Sequence, residues 1–125
     1  GRSREALPLA HQALAIRKEL LGEDHLDYAT SLNDLANLYR DLGEYGKALP
    51  LFDQARDLRK RYLGEAHPDH AQSLNNLALL YQHLGEYGKA LPLFQQARDL
   101  CKKVLGEAHP RYVSVGQEAG HFIGL

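Results

Sequence analysis

The sequence lacks the features of a membrane protein, a secreted protein or a nucleic-acid binder. Its 15 basic and 16 acidic residues leave a net charge of −1, whereas nucleic-acid-binding domains usually carry a basic face. It contains no apolar run of about 18 residues and no signal-peptide pattern at its start. The one cysteine, Cys101, cannot form an internal disulfide, which fits a reducing compartment. We therefore predict a cytoplasmic protein that binds neither membrane nor nucleic acid.

A repeat of 42 residues dominates what the sequence does contain. The stretch from Ser31 to Leu58 recurs from Ser73 to Leu100. When residues 31–72 are aligned with residues 73–114, 30 of the 42 positions are identical. A fixed period of this size is typical of a solenoid, in which each unit buries its apolar face only by stacking on its neighbours. The length of 125 residues predicts a single domain.

Apolar residues at steps of three and four predict two α-helices in each repeat. The predicted helices run from Ser3 to Leu21, from about Asp24 to Leu42, from about Glu44 to Leu63, from Pro68 to Leu84, and from the turn at Gly85 to Leu105. Pro8, Pro50 and Pro92 lie at matching positions near the starts of three of them. A proline there removes one backbone hydrogen bond, so we expect a slight bend rather than a break.

The register of the repeat also predicts how the two ends are organised. Residues 1–22 form the second helix of a truncated repeat, residues 23–64 and 65–106 form full repeats, and residues 107–125 form a degenerate C-terminal helix or cap. We expect the chain to be a piece, or the tail, of a longer array. Since the first helix of the first repeat is missing, Leu9, Ala13 and Ile16 should expose an apolar face that could mediate self-association.

The repeats resemble the tetratricopeptide repeat. Its signature spacing is matched by Leu32, Leu35, Ala36, Tyr39, Gly43, Tyr45, Ala48, Phe52 and Ala55, and again by Leu74, Leu77, Ala78, Tyr81, Gly85, Tyr87, Ala90, Phe94 and Ala97. The additional residues, which end in Leu-Gly-Glu-Ala-His-Pro, are similar to the repeat of kinesin light chains and their bacterial relatives. The resemblance implies a right-handed superhelical α-solenoid of antiparallel helix pairs, with the first helices lining a concave groove.

A polar stripe on the first helix of each repeat is the candidate site, which the resemblance places in the groove. Asparagine can both donate to and accept from the main chain of an extended peptide. Asn33 and Asn75, one per repeat, match the family best. Alternatively, they are solvated or cap the local backbone. The predicted peptide-binding residues are Thr30, Asn33, Asn37 and Arg40 in the first copy, and Gln72, Asn75, Leu79, Gln82 and His83 in the second.

The histidines are weaker candidates. His25, His67 and His109 recur once per repeat, but a metal site needs three or four converging ligands. We therefore predict no metal and no cofactor, and interpret these imidazoles as helping to start the next helix. The other histidines are expected to be exposed or at a pocket edge; they are His11, His70, His83 and His121.

The sequence therefore predicts a scaffold that holds a peptide or partner segment in the groove. The alternative is a structural spacer or a self-association module within a larger multi-domain protein. Catalysis has the least support, because the stripe offers only one arginine and one histidine, on different repeats. Cys101 has no neighbouring base to activate it, and we expect an inert thiol at the surface or half-buried.

Overall fold

The computed structural model describes residues 2–105, most of which lie in five α-helices. Their bounds are Arg2–Leu21 for α1, Leu26–Asp41 for α2, Tyr45–Leu63 for α3, Pro68–His83 for α4 and Tyr87–Leu105 for α5. No strand occurs between residues 2 and 105. The predicted all-α fold is confirmed, and the helix ends differ from the predicted ones by about two residues at most. The predicted helix or cap at 107–125 lies outside the described residues.

The chain divides into two compact units at the end of α3. The first unit extends to Tyr62 and the second begins at Leu63. The first therefore contains α1, α2 and nearly all of α3, and the second contains α4 and α5.

Hydrogen bonds join α1 to α2 in the first unit. Nε2 of His11 lies 2.9 Å from the Tyr39 hydroxyl oxygen. Nη1 of Arg17 donates to the Asp27 carbonyl oxygen and to Oγ of Ser31, at 2.9 Å each. Since later residues of α1 contact earlier residues of α2, these two helices are antiparallel.

Apolar packing joins α2 to α3 in the same unit. Tyr28, Ala29 and Leu32 of α2 form one buried cluster with Ala55 and Leu58 of α3. Residues from the first half of α2 pack with residues from the second half of α3, so this pair is also antiparallel. Burying such side chains contributes about 1.5–3 kcal/mol for each leucine-sized residue, so this cluster is a main source of stability for the unit.

Two clusters of buried side chains join α4 to α5 in the second unit. One consists of Ala71, Leu74, Ala97 and Cys101, and the other of Ala78, Ala90 and Phe94. Alanine recurs in both, and a small side chain lets two helix backbones approach closely while larger neighbours fill the space beside it. Three alanines of the repeat signature, Ala78, Ala90 and Ala97, are among these buried residues.

Histidine caps the start of two helices. Nδ1 of His25 accepts a hydrogen bond from the backbone N–H of Asp27, and Nδ1 of His67 accepts one from Asp69, both at 3.0 Å. These bonds satisfy N–H groups that a helix start otherwise leaves without a partner. The interpretation of the periodic histidines as helix-starting residues is confirmed for these two, and His109 lies outside the described residues.

The repeated glycines lie at helix ends, and the repeated prolines lie inside helices. Gly43 and Gly85 follow the ends of α2 and α4 with φ of 78° each, a left-handed conformation that favours glycine. Helices α1, α3 and α5 continue without a break through Pro8, Pro50 and Pro92.

The expectation that His70 is exposed or at a pocket edge is wrong. Only 2% of its surface is accessible, and it lies in the first turn of α4. The matching residue of the first repeat is Tyr28, which is also buried. The position is therefore a core position in both repeats. His11 and His83 are exposed as expected, and His121 lies outside the described residues.

The expectation for Cys101 is also wrong. The sequence predicts an inert thiol at the surface or half-buried. In the structure Cys101 is 1% exposed and packs with Ala71, Leu74 and Ala97. A thiol behaves as a small apolar side chain, which fits this site between α4 and α5.

Candidate functional site

The candidate stripe on α2 lies beside the helix face that is buried in the first unit. Seven residues of α2 are buried, and they cover more than half of the helix circumference: Tyr28, Ala29, Ser31, Leu32, Asn33, Leu35 and Ala36. Thr30 and Asn37, seven residues apart, lie on the remaining surface, while Asn33 and Arg40 lie at its edge. The four predicted residues therefore share one side of α2 but differ in how accessible they are.

Within this stripe, Asn33 is the most deeply placed residue. It is 9% exposed, whereas Thr30 is exposed and Asn37 and Arg40 are half-buried. Oγ1 of Thr30 donates to the Leu26 carbonyl oxygen at 3.3 Å, which is a bond within its own helix. The side chains open to a partner on α2 are thus those of Thr30, Asn37 and Arg40.

Arg40 places a positive charge at the end of the α2 stripe. Its guanidinium carbon lies 6.0 Å from the centroid of the Phe52 ring, within reach of a cation–π interaction. Its Nε atom is 3.8 Å from a carboxylate oxygen of Asp41, and 26% of the side chain remains accessible. The charge is therefore positioned by packing while part of it still faces solvent.

The α4 stripe in the second unit has a more apolar character. Gln72 and His83 are exposed, and Gln82 is half-buried. Leu79, which replaces the Asn37 of the first repeat, packs against the buried cluster around Phe94. Part of this stripe thus belongs to the core of the second unit.

Asn75 of the α4 stripe has a buried polar atom that lacks a hydrogen-bond partner among the described residues. It is half-buried, yet its Oδ1 atom is inaccessible and has no hydrogen-bond partner among the described residues. A buried acceptor in this state costs about 1–3 kcal/mol.

The charges beside the two stripes differ. Asp27, Asp34 and Asp41 are exposed and follow one another at intervals of seven residues on α2, next to Thr30 and Asn37. The corresponding residues of α4 are Asp69, Asn76 and His83. Partner segments on the two helices would therefore meet different electrostatic surroundings.

Sequence reasoning missed a cavity in the first unit. It measures about 300 Å³ and is lined by Glu23, Asp24, Gln54, Asp57, Leu58 and Arg61. Arg61 forms an ion pair with Asp24, whose carbonyl oxygen accepts from the Tyr62 hydroxyl at 2.8 Å. The sequence could have indicated this site, because Asp24, Arg61 and Tyr62 all differ from the matching residues of the second repeat. Those residues are alanine, lysine and valine.

Two other kinds of site are absent from the part of the chain that the structure describes. Between residues 2 and 105, no group of three histidine, cysteine, aspartate or glutamate side chains is arranged to hold a metal ion. None of the five described helices is both long and apolar enough to cross a bilayer.

The helix pairs and their 42-residue spacing define an α-helical repeat protein. A family model for the tetratricopeptide repeat matches residues 1–61, 35–103 and 69–115. The chain therefore belongs to the tetratricopeptide repeat family. Repeats of this family generally mediate protein–protein interactions.

Solved structures place it near the kinesin light chains. A kinesin light chain-like protein of Podosopora anserina with nearly identical TPR-like repeats is 28% identical, with a TM-score of 0.89 over 98% of this chain and 58% of its own. BtubC (BKLC) of P. vanneervenii is 26% identical, with a TM-score of 0.84 over 98% of this chain and 48% of its own. The chain thus spans about half the length of these proteins. No curated protein matches it.

Proposed function

We propose that the chain is a protein-interaction module that binds extended peptide segments on the polar stripes of its first helices, α2 in the first unit and α4 in the second. Membership of the tetratricopeptide repeat family supports a role in protein–protein interaction. The two polar stripes are the proposed binding surface. We assign it no catalysis, because the stripes offer one arginine and one histidine on different helices. The single cysteine, which is buried and forms no disulfide, also supports a reducing compartment such as the cytoplasm.

The unpartnered Oδ1 of Asn75 is the observation that carries this function. If the Asn75 side chain rotates toward the surface, a main-chain N–H of a bound peptide would supply the missing donor, and the amide nitrogen could donate to a peptide carbonyl in return. The exposed polar side chains of Thr30 and Gln72, which hold the same position in the two repeats, would each offer a further polar contact on their own helix.

The stripe on α2 would contribute charge. Arg40 is positioned by Phe52 and partly accessible, so it could bind a carboxylate of the partner. The three exposed aspartates on the same helix, Asp27, Asp34 and Asp41, would repel other acidic groups. A partner with one well-placed acidic residue fits α2 better than a uniformly acidic segment does.

A peptide-array screen tests the binding. Asn33→Ala/Asn75→Ala removes the paired asparagines, and Thr30→Ala/Gln72→Ala removes the exposed pair without touching a buried side chain. Gln54→Ala/Gln96→Ala is a matched control, since these two exposed amides share a position on the second helices. We expect both stripe variants to weaken binding by about tenfold or more and the control to leave it unchanged.

Two results would count against this function. Binding that survives both stripe variants would place the peptide elsewhere on the chain. Absence of binding by a chain shown to be folded by circular dichroism would favour the second candidate.

The second candidate is a structural spacer or a self-association module. The observation that favours it is an apolar surface on α1, where Leu9, Ile16 and Leu20 are 67%, 55% and 76% exposed. Exposed apolar residues that form a continuous patch usually mark an interaction surface.

A further inference from the structure

The hydrogen bonds that cap α2 and α4 require neutral imidazoles. Nδ1 of His25 accepts from the N–H of Asp27, and Nδ1 of His67 accepts from the N–H of Asp69, both at 3.0 Å. Both histidines have the extended backbone of an N-cap residue, with ψ of 143° and 140°. A nitrogen that accepts carries no proton, so this geometry assigns the proton of each neutral ring to Nε2.

Protonation turns each acceptor into a donor. A charged imidazole carries a proton on both ring nitrogens. The Nδ1–H of His25 would then point at the N–H of Asp27, and the same conflict would arise between His67 and Asp69. The new positive charge would also lie at the positive end of the helix dipole. Both effects oppose the capped arrangement.

We infer that His25 and His67 are pH-sensitive caps, which hold the first turns of α2 and α4 when neutral and release them when protonated. An imidazole ordinarily changes charge between about pH 5 and 8. Since the capping bond excludes the proton, the unfolded chain binds more protons than the folded chain over this range. The free energy of unfolding therefore decreases as the pH falls through it.

The charges around His25 come from its own loop and from all three helices of the first unit. They are Glu23 and Asp24 on the loop, Asp27 on α2, Arg17 and Lys18 on α1, and Arg61 on α3. Both loop carboxylates already lie in ion pairs, one with the lysine of α1 and one with the arginine of α3. A charged imidazole would therefore gain little from them. Tyr28 and Tyr62 keep their protons over this pH range.

His67 has a carboxylate closer to its ring. Oδ2 of Asp69 lies 4.0 Å from Nδ1, so a charged imidazole can turn toward that carboxylate as the cap is lost. The other charged or titratable groups of its loop, of α4's first turn and of the last turns of α3 and α5 are Glu65, His70, Lys60, Arg61, Lys102 and Lys103. Because the Asp69 carboxylate offsets part of the loss, we expect a smaller pH effect from His67 than from His25.

Release of the caps would loosen turns that contain both core and stripe contacts. Tyr28 and Ala29 lie in the first turn of α2, and Ala71 lies at the start of α4; all three belong to buried clusters. Oγ1 of Thr30 bonds to the carbonyl oxygen of Leu26, the first residue of α2. If the stripes bind peptide as proposed, acidic pH would weaken that binding, but the measurements below do not depend on it.

Thermal unfolding at about pH 8 and about pH 5.5 tests the caps. Asparagine is a strong N-cap that does not titrate in this range, so His25→Asn/His67→Asn keeps both helix starts and removes both imidazoles. The Tm of the wild type should fall by about 4–8 °C more between the two pH values than the Tm of this variant. Both chains retain His70 and the other histidines, whose titration cancels in the comparison.

His11→Asn is the matched control. Nε2 of His11 lies 2.9 Å from the hydroxyl oxygen of Tyr39, and a hydroxyl can either donate or accept, so this bond survives protonation. The control should show the full wild-type decrease in Tm. Of the two single variants, His25→Asn should remove the larger share of that decrease.

Hydrogen exchange locates the effect within the chain. The N–H of Ala29 donates to the His25 carbonyl oxygen at 3.2 Å, and that of Ala71 donates to the His67 carbonyl oxygen at 3.3 Å. The protection factors of these two amides therefore report the first turns of α2 and α4. They should fall by about fivefold between the two pH values in the wild type and by less than about twofold in the double variant.

Two results would overturn the inference. An equal decrease in Tm for the wild type and the double variant would mean that neither imidazole acts as a titrating cap. A neutral ring with its proton on Nδ1, identified from the ¹⁵N chemical shifts of His25 and His67, would exclude the acceptor role itself. Neither measurement involves a peptide, so the pH-sensitive caps and the proposed function can fail separately.

Discussion

Replacing Ala90 with leucine tests how closely α4 and α5 pack in the second unit. Ala90 is 0% exposed and lies in one buried cluster with Ala78 and Phe94. Three added heavy atoms have no space there unless neighbouring side chains leave their preferred rotamers or the two helices separate. Leucine is also a good helix former, so the substitution barely changes helix propensity.

Overpacking of this kind costs about 1–3 kcal/mol of unfolding free energy. For a chain of 125 residues, a loss of 1 kcal/mol lowers Tm by roughly 3–5 °C, so we expect a decrease of about 3–15 °C. Chemical denaturation followed by circular dichroism should show a lower midpoint with an unchanged slope, because the surface exposed on unfolding stays the same.

Two further variants make the result interpretable. Ala48→Leu changes the matching position of the first repeat, which is also 0% exposed, and should be destabilising to a similar degree. Ala15→Leu adds the same atoms at an exposed site of α1 and should change stability by less than about 0.5 kcal/mol. If Ala90→Leu were as stable as the wild type, α4 and α5 could not be packed as closely as described.

Three other perturbations have defined outcomes. Cys101→Ser should cost about 1–3 kcal/mol in a denaturation experiment, because it puts a hydroxyl among apolar side chains, and an unchanged midpoint would show that the site is not buried. His25→Ala and His67→Ala should each lose about 1 kcal/mol, since each removes a helix cap with the same 3.0 Å bond; unequal losses would contradict equal capping roles. Desolvation raises the pKa of Asp53, and the nearby Arg56 opposes this shift only in part. Protonation of Asp53 therefore stabilises the folded state relative to the unfolded state. Asp53→Gln, which copies the second repeat, should therefore stabilise the chain at neutral pH by less than about 0.5 kcal/mol. That gain should shrink as the pH falls toward about 4, and a gain that grows at low pH would contradict the direction of the shift.

The period of the sequence was enough to predict the helices and most of the core. Leu32, Ala55 and Phe94 fall on the apolar side of their helices by spacing alone, and each is buried in the structure. Gly43 and Gly85 mark helix ends because their backbone conformation is one that other residues adopt only with strain. Helix positions and helix ends depend on local backbone geometry. The same residues occur at matching positions of both repeats, so each prediction is supported by two copies.

Burial at the edge of a helix face could not be predicted in this way. His70 and Cys101 are polar or weakly polar by type, yet they occupy core positions, because the space between helices is set by the neighbouring side chains. Asn33 and Asn75 hold the same position and share the same side chain, but only Asn33 is buried. Small differences in packing around a repeated residue decide its exposure. These differences cannot be predicted from the spacing of residues in the sequence.

The burial of Cys101 also gives the second unit a built-in reporter of its own opening. A thiol reagent can reach the sulfur only when α5 separates from α4, because the side chain lies between Ala71, Leu74 and Ala97. When closing is much faster than labelling, the rate of modification in native buffer is proportional to the population of the open state. The ratio of that rate to the rate for an unfolded chain yields the free energy of opening α4 from α5. Since the first unit contains no cysteine, the same reaction follows the second unit alone without any added label.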